Sequence, residues 1–93
     1  MITLERGKDG VTCPLIYCDV CGKQIKDCKN AMYIWHFGKE EEFKMIHKGA
    51  CDDRSYKCSM ELKYFFIYLM TNAGLDPRKL EDVIEKASLM GSM

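Results

Sequence analysis

No stretch of this chain reaches eighteen consecutive apolar residues, which excludes a membrane-spanning helix of ordinary length. Nor is there an excess of either charge. Fourteen Lys and Arg stand against fourteen Asp and Glu, so no global basic field draws the chain toward nucleic acid or anionic lipid. A Gly-rich phosphate loop, an HExxH pair and a nucleophile elbow are all absent. The opening residues Met1-Ile2-Thr3-Leu4-Glu5-Arg6-Gly7 lack the long apolar core of a signal peptide. Reduced cysteines in a cytoplasmic setting are therefore the expectation, rather than a secreted disulfide framework.

What is present is a chain of 93 residues, 47% apolar and 30% charged, the composition of a globular domain. That length is near the lower limit at which an apolar core alone gives comfortable stability. A metal clip is the kind of supplement such a chain needs. The six cysteines are distributed accordingly. Cys18 and Cys21 lie in Tyr17-Cys18-Asp19-Val20-Cys21-Gly22-Lys23, and His47 and Cys51 in His47-Lys48-Gly49-Ala50-Cys51. Each pair has the short spacing that lets one tight turn deliver two ligands to one ion. Thiolate and imidazole are the ligands zinc prefers, and four of them leave no open coordination position. The expected cofactor is one structural Zn2+ on Cys18, Cys21, His47 and Cys51.

Alternatives to this reading remain. A CxxC is also a redox dithiol, but such motifs normally sit between a strand and a helix that lowers the first thiol's pKa; here Gly22 and a polar segment follow. Iron in a rubredoxin-like site would use four thiolates, and no second CxxC is present. Cys28 or Cys58 would be the substitutes for a predicted ligand, although neither has a paired neighbour at metal spacing. With Cys13, they read more simply as small, partly buried thiols. His36, next to Trp35, reads as an ordinary histidine rather than a ligand.

The hydrophobic pattern gives the expected elements. Residues 2–4 and 11–17 read as strands joined by the turn Gly7-Lys8-Asp9-Gly10, with Pro14 confined to an edge because it donates no ladder hydrogen bond. Gly22 is the natural residue for a positive φ in the knuckle. Residues 31–37 alternate as a strand, with Tyr33, Trp35 and Phe37 on one face and Met32, Ile34 and His36 on the other. A polar turn at 38–42 then leads to a return strand at 43–47. Two helices are expected to follow. The first begins near residues 51–55 or at Ser59 and stops at Gly74, with Leu62, Phe65, Phe66, Leu69 and Ala73 as its core stripe. The second opens with Asp76 as N-cap and Pro77 at the first helical position, turns Leu80, Val83, Ile84 and Ala87 inward, and ends near Met90.

The expected fold class is thus α+β: one domain over residues 1–93, with a zinc-stabilised antiparallel β region (15–58) followed by a part of two C-terminal helices (59–90). The ligand order Cys18, Cys21, His47, Cys51 resembles the first zinc site of LIM-type fingers, and the order of knuckle, hairpin and ligand pair resembles the treble-clef zinc finger. The His-to-Cys gap is one residue longer than in LIM fingers, and no second complete finger follows. The resemblance implies a treble-clef-like geometry and an interaction or nucleic-acid-binding role.

A filled clamp argues against a catalytic zinc, which keeps a position for water. Asp52 and Asp53 are placed to cap a helix after Cys51, which accounts for them without catalysis. The expected function is therefore that of a non-enzymatic interaction or dimerisation module. Met60, Tyr64, Ile67 and Tyr68 form a second apolar row along the first helix, which a protein partner or a second copy would cover. The alternative is nucleic-acid binding through Lys23, Lys26 and Lys29, joined by Lys44, Lys48, Arg54 and Lys57, with Tyr33 and Trp35 stacking on bases. Glu40, Glu41 and Glu42 dilute that field.

Overall fold

A computed structural model describes residues 1–81 and Glu85. Two antiparallel sheets and one α-helix make an α+β architecture among the described residues. The first sheet is a hairpin of β1 (Ile2–Arg6) and β2 (Thr12–Ile16), in register from Ile2 opposite Ile16 to Arg6 opposite Thr12. Pro14 lies opposite Leu4 in this two-stranded ladder, where both strands are edges. Chain pairing continues past β2, for Ile16 accepts the amide of Ile25 and Tyr17 bridges Gln24, so the hairpin runs directly into the cysteine knuckle.

The second sheet has the order β4-β3-β5, built from β3 (Ala31–His36), β4 (Lys39–His47) and β5 (Cys58–Glu61). Its central strand places Tyr33 and Trp35 on one face with their rings stacked, as the alternation legible in the sequence predicts. Phe37 departs from it: it sits in the connecting turn, 88% exposed, beside Gly38 at φ 86°. The acidic run Glu40-Glu41-Glu42 is likewise part of β4 and not a turn. β4 is an edge strand, and charged side chains facing solvent are a normal way to protect an edge.

The first helix begins later than expected. Residues 58–61 pair with β3 as β5, from Cys58 opposite Trp35 to Glu61 opposite Met32, and only then does α1 (Leu62–Asn72) start. The cross-strand pairing of Tyr33 with Met60 outweighs helix propensity there. The C-terminus of α1 follows the sequence closely. Gly74, at φ 87°, donates to Thr71 and Leu75 donates to Met70, closing a Schellman motif.

The expectation of two C-terminal helices is corrected to one α-helix among the described residues. Asp76 does accept the amide of Arg78 at 2.9 Å, with Pro77 next to it, but the element so capped begins as a 3-10 turn, Pro77–Lys79, with Leu80 and Glu81 helical after it. Val83, Ile84, Ala87 and Met90, assigned to the second helix, lie outside the described residues. Among the described residues the buried core is Cys18, Ile25, Ala31, Ile34, Met45, Ile46, Cys51 and Leu62. Two of these eight are expected metal ligands, so the apolar core and the cysteine cluster are one body.

Candidate metal centre

Two glycine-assisted turns bring the four expected ligands together. In the first, Cys18 donates its amide to Lys23 and accepts from Gly22 at its carbonyl, and Gly22 takes φ 75°. The amides of Val20 and Cys21 then point at Cys18 Sγ, at 3.4 and 3.5 Å. In the second, His47 ends β4, Gly49 takes φ 79°, and Cys51 completes the turn. The hairpin of β3 and β4 carries the chain away from the first turn and returns it to the second. Ala31 faces His47 across that hairpin.

The ligand atoms of Cys18, Cys21, His47 and Cys51 all lie within 4.8 Å of one another, a cluster that could hold a metal ion. His47 Nδ1 lies 3.4 Å from Cys21 Sγ and 3.9 Å from Cys51 Sγ. Bond lengths of about 2.0–2.3 Å around a tetrahedral zinc give ligand-to-ligand edges of about 3.4–3.8 Å. The other imidazole nitrogen, Nε2, lies 3.4 Å from the carbonyl oxygen of Gln24. A carbonyl oxygen only accepts, so that contact favours the tautomer with the proton on Nε2, in which Nδ1 is free to bind an ion. The donor set and the ring orientation both fit zinc.

Electrostatics around the cysteines favour a thiolate at one of them. Burial opposes ionisation of Cys18, but amide donors from Cys21, His47 and Val20 and the Cys51 thiol outweigh it, pulling its pKa to about 6. Cys51 moves the other way, to about 11, because burial and the sulfurs of Cys18 and Cys21 disfavour a second negative charge. Three thiolates cannot share so small a space without a cation among them.

The remaining cysteines stay outside the cluster. Cys13 lies in β2, Cys28 in a 3-10 turn packed against the core, and Cys58 at the start of β5; all six cysteines are free thiols. His36 is stacked on Tyr56 with ring centroids 4.0 Å apart. Asp53 does not cap a helix, since none begins there. It accepts from the amide and hydroxyl of Ser55 at 2.9 and 2.7 Å, which hold its carboxyl below the usual range.

Two supporting groups escaped the sequence reading. The Gln24 carbonyl is backbone and leaves no residue signature. Asp19 had one, an acid directly after the first ligand: its amide donates to Met45 and its carboxylate accepts from Met45.

The candidate binding residues are dispersed. Lys23, Lys26 and Lys29 are exposed around the knuckle. Lys48 pairs with Glu61 at 3.6 Å, and Lys44 lies over the Tyr56 ring. On α1, Tyr64, Ile67 and Tyr68 are 39%, 42% and 50% exposed, while Met60 is half-buried beneath the Tyr33 hydroxyl. Leu69, expected in the core stripe, is 50% exposed instead. No helix of the described residues is long and apolar enough to cross a membrane. Set against protein-family models, curated proteins and solved structures, the chain matches none of them.

Proposed function

We propose that this protein is a small structural-zinc module of the cytoplasm whose task is protein interaction, with the metal holding the fold and taking no part in chemistry. The observation that carries the reading is the closed donor set, Cys18, Cys21, His47 and Cys51, with His47 Nε2 already engaged by a backbone carbonyl. A zinc held by four protein ligands has no position left for water or substrate.

The Cys, Cys, His, Cys order keeps its resemblance to the first site of LIM-type fingers. The treble-clef comparison is looser, because α1 begins eleven residues beyond Cys51 and the second ligand pair rides a turn of its own. What the ion would secure is the junction between the knuckle and the hairpin, and through β5 the base of α1. The outward side of that helix, with Tyr64, Ile67, Tyr68 and Leu69 exposed, supplies the surface for a protein partner or a second copy. Metal content and native mass from one intact-complex mass spectrum test both halves of the proposal. One zinc per chain with a doubled mass supports it. A metal-free folded chain removes its foundation, and strong salt-sensitive retention on nucleic acid redirects the role to the exposed lysines.

A further inference from the structure

The three sulfurs of the candidate metal centre are not equally protected. Cys18 is 3% exposed and Cys51 9%, whereas Cys21 lies open to solvent, and so does its 3.4 Å contact with His47 Nδ1. Amide donors differ in the same direction. Those of Val20 and Cys21 point at Cys18 Sγ, at 3.4 and 3.5 Å, and draw electron density from that sulfur. Among the described residues no amide donates to Cys21 Sγ. A reagent arriving from solvent therefore meets Cys21 first, as a sulfur that no amide damps.

The surroundings of Cys21 supply the second partner an oxidation needs. The sulfurs of Cys18 and Cys51 lie within 4.8 Å of Cys21 Sγ, so a shift of a few ångströms brings one of them to the disulfide distance of about 2.05 Å. Both turns have room to shift, for the space beside the Cα of Gly22 and of Gly49 is empty out to 4 Å. Cys13, Cys28 and Cys58 stand outside the cluster. Resting on the structural-zinc reading of the cluster, we propose that it is a redox switch: hydroperoxides attack Cys21, and a disulfide to a second cluster sulfur releases the metal. The thiolate, not the thiol, is the nucleophile, and a metal keeps its cysteine ligands deprotonated. The Cys21 sulfur attacks one peroxide oxygen and the O–O bond breaks. The other oxygen leaves as hydroxide or alkoxide and takes a proton from water, and Cys21 becomes a sulfenic acid. The second sulfur then attacks Cys21 Sγ, breaking its S–O bond, and hydroxide leaves and is protonated to water. Two sulfurs give up two electrons and the peroxide takes them. One thiolate and His47 remain, too few for the four-coordinate site that structural zinc requires.

The zinc-loaded full chain is treated with hydrogen peroxide while a chromogenic chelator reports free metal, with zinc content measured beforehand. One zinc per chain is expected to be released, as the intact mass falls by two hydrogen atoms. Dithiothreitol with added zinc is expected to restore both. Dimedone, which traps sulfenic acids, is expected at early times to label Cys21 at least about fivefold more than Cys13, Cys28 or Cys58. Cys13→Ser, Cys28→Ser and Cys58→Ser each remove a thiol outside the cluster and are expected to leave the release rate within about twofold. Zinc retained under peroxide overturns this inference alone, as does release with Cys21 unlabelled, or a disulfide that includes Cys13, Cys28 or Cys58. A folded chain that holds no zinc before peroxide is added overturns the metal reading as well.

Discussion

Asp19 and Met45 exchange hydrogen bonds in both directions: the Asp19 amide donates to the Met45 carbonyl at 2.8 Å, and the Met45 amide donates to the Asp19 carboxylate at 2.8 Å. A residue of the knuckle thereby behaves as a one-residue strand along the free edge of β4. Met45 is buried, so loss of the carboxylate strands its amide at a cost of about 1–3 kcal/mol. Asp19→Ala is expected to lower stability by that amount in urea denaturation, and to speed metal loss to a chelator because the first turn is no longer anchored. Asp19→Asn keeps an acceptor oxygen and is expected to lose less than half as much. Equal losses in the two variants would count against the carboxylate's bonding role.

The metal itself sets a larger scale. Among the described residues only Ile34, Met45, Ile46 and Leu62 combine a large side chain with complete burial, and structural zinc contributes an apparent ~10–16 kcal/mol in small finger peptides. That equals or exceeds the ~5–15 kcal/mol net stability of an ordinary domain. Chelation, or Cys21→Ser, is expected to abolish the cooperative thermal transition, with loss of metal measured by atomic absorption. Cys28→Ser and Cys58→Ser should each retain one equivalent of metal, because neither thiol belongs to the cluster.

The cluster of Cys18, Cys21, His47 and Cys51 was legible in the sequence because metal spacing is a local property: two candidate ligands per turn, with glycine where φ is positive. Gly22 and Gly49 at φ 75° and 79° bear that out. The first hairpin and the Gly74 stop were legible for the same reason. β5 was not, since Ser59 and Met60 acquire strand character only by lying beside Ile34 and Tyr33, residues more than twenty positions away in the chain. Glu40-Glu41-Glu42 misled in the opposite direction. A charge run looks like a turn until a neighbouring strand makes it an edge. The inward set of α1 was only partly right, as Leu62 is buried and Leu69 lies open.

Glu5 ties the first hairpin to the residue before the knuckle by accepting the Tyr17 hydroxyl, with the Thr3 hydroxyl adding a second bond at 2.8 Å. Tyr17 first and Thr3 second hold the Glu5 carboxyl below its ordinary 4.5, against a small opposing effect of burial. A depressed carboxyl contributes stability that is present above its unfolded value and lost as pH falls through its folded one. The expected loss therefore begins below about pH 4.5. In Tyr17→Phe the Glu5 midpoint, followed by carboxyl-carbon NMR, should rise toward the ordinary value; an unmoved midpoint removes the hydrogen bond as its cause.

The helix face separates an interaction module from a solvated surface. Ile67 is 42% exposed, between Tyr64 and Tyr68 on the outward side of α1. A charge at an exposed position well away from core contacts ordinarily changes stability by no more than about 0.5 kcal/mol. Ile67→Glu is therefore expected to leave the melting curve and metal content nearly unchanged. If this face joins two copies, the same substitution places two carboxylates in an apolar contact, where unpaired burial costs far more than a surface change. The wild type should then elute in size exclusion as a dimer stable to high salt, since an apolar contact is not screened, and the variant as a monomer. A wild-type monomer that captures no partner through this face would leave Tyr64, Ile67 and Tyr68 as ordinary exposed residues and take the interaction role away from α1.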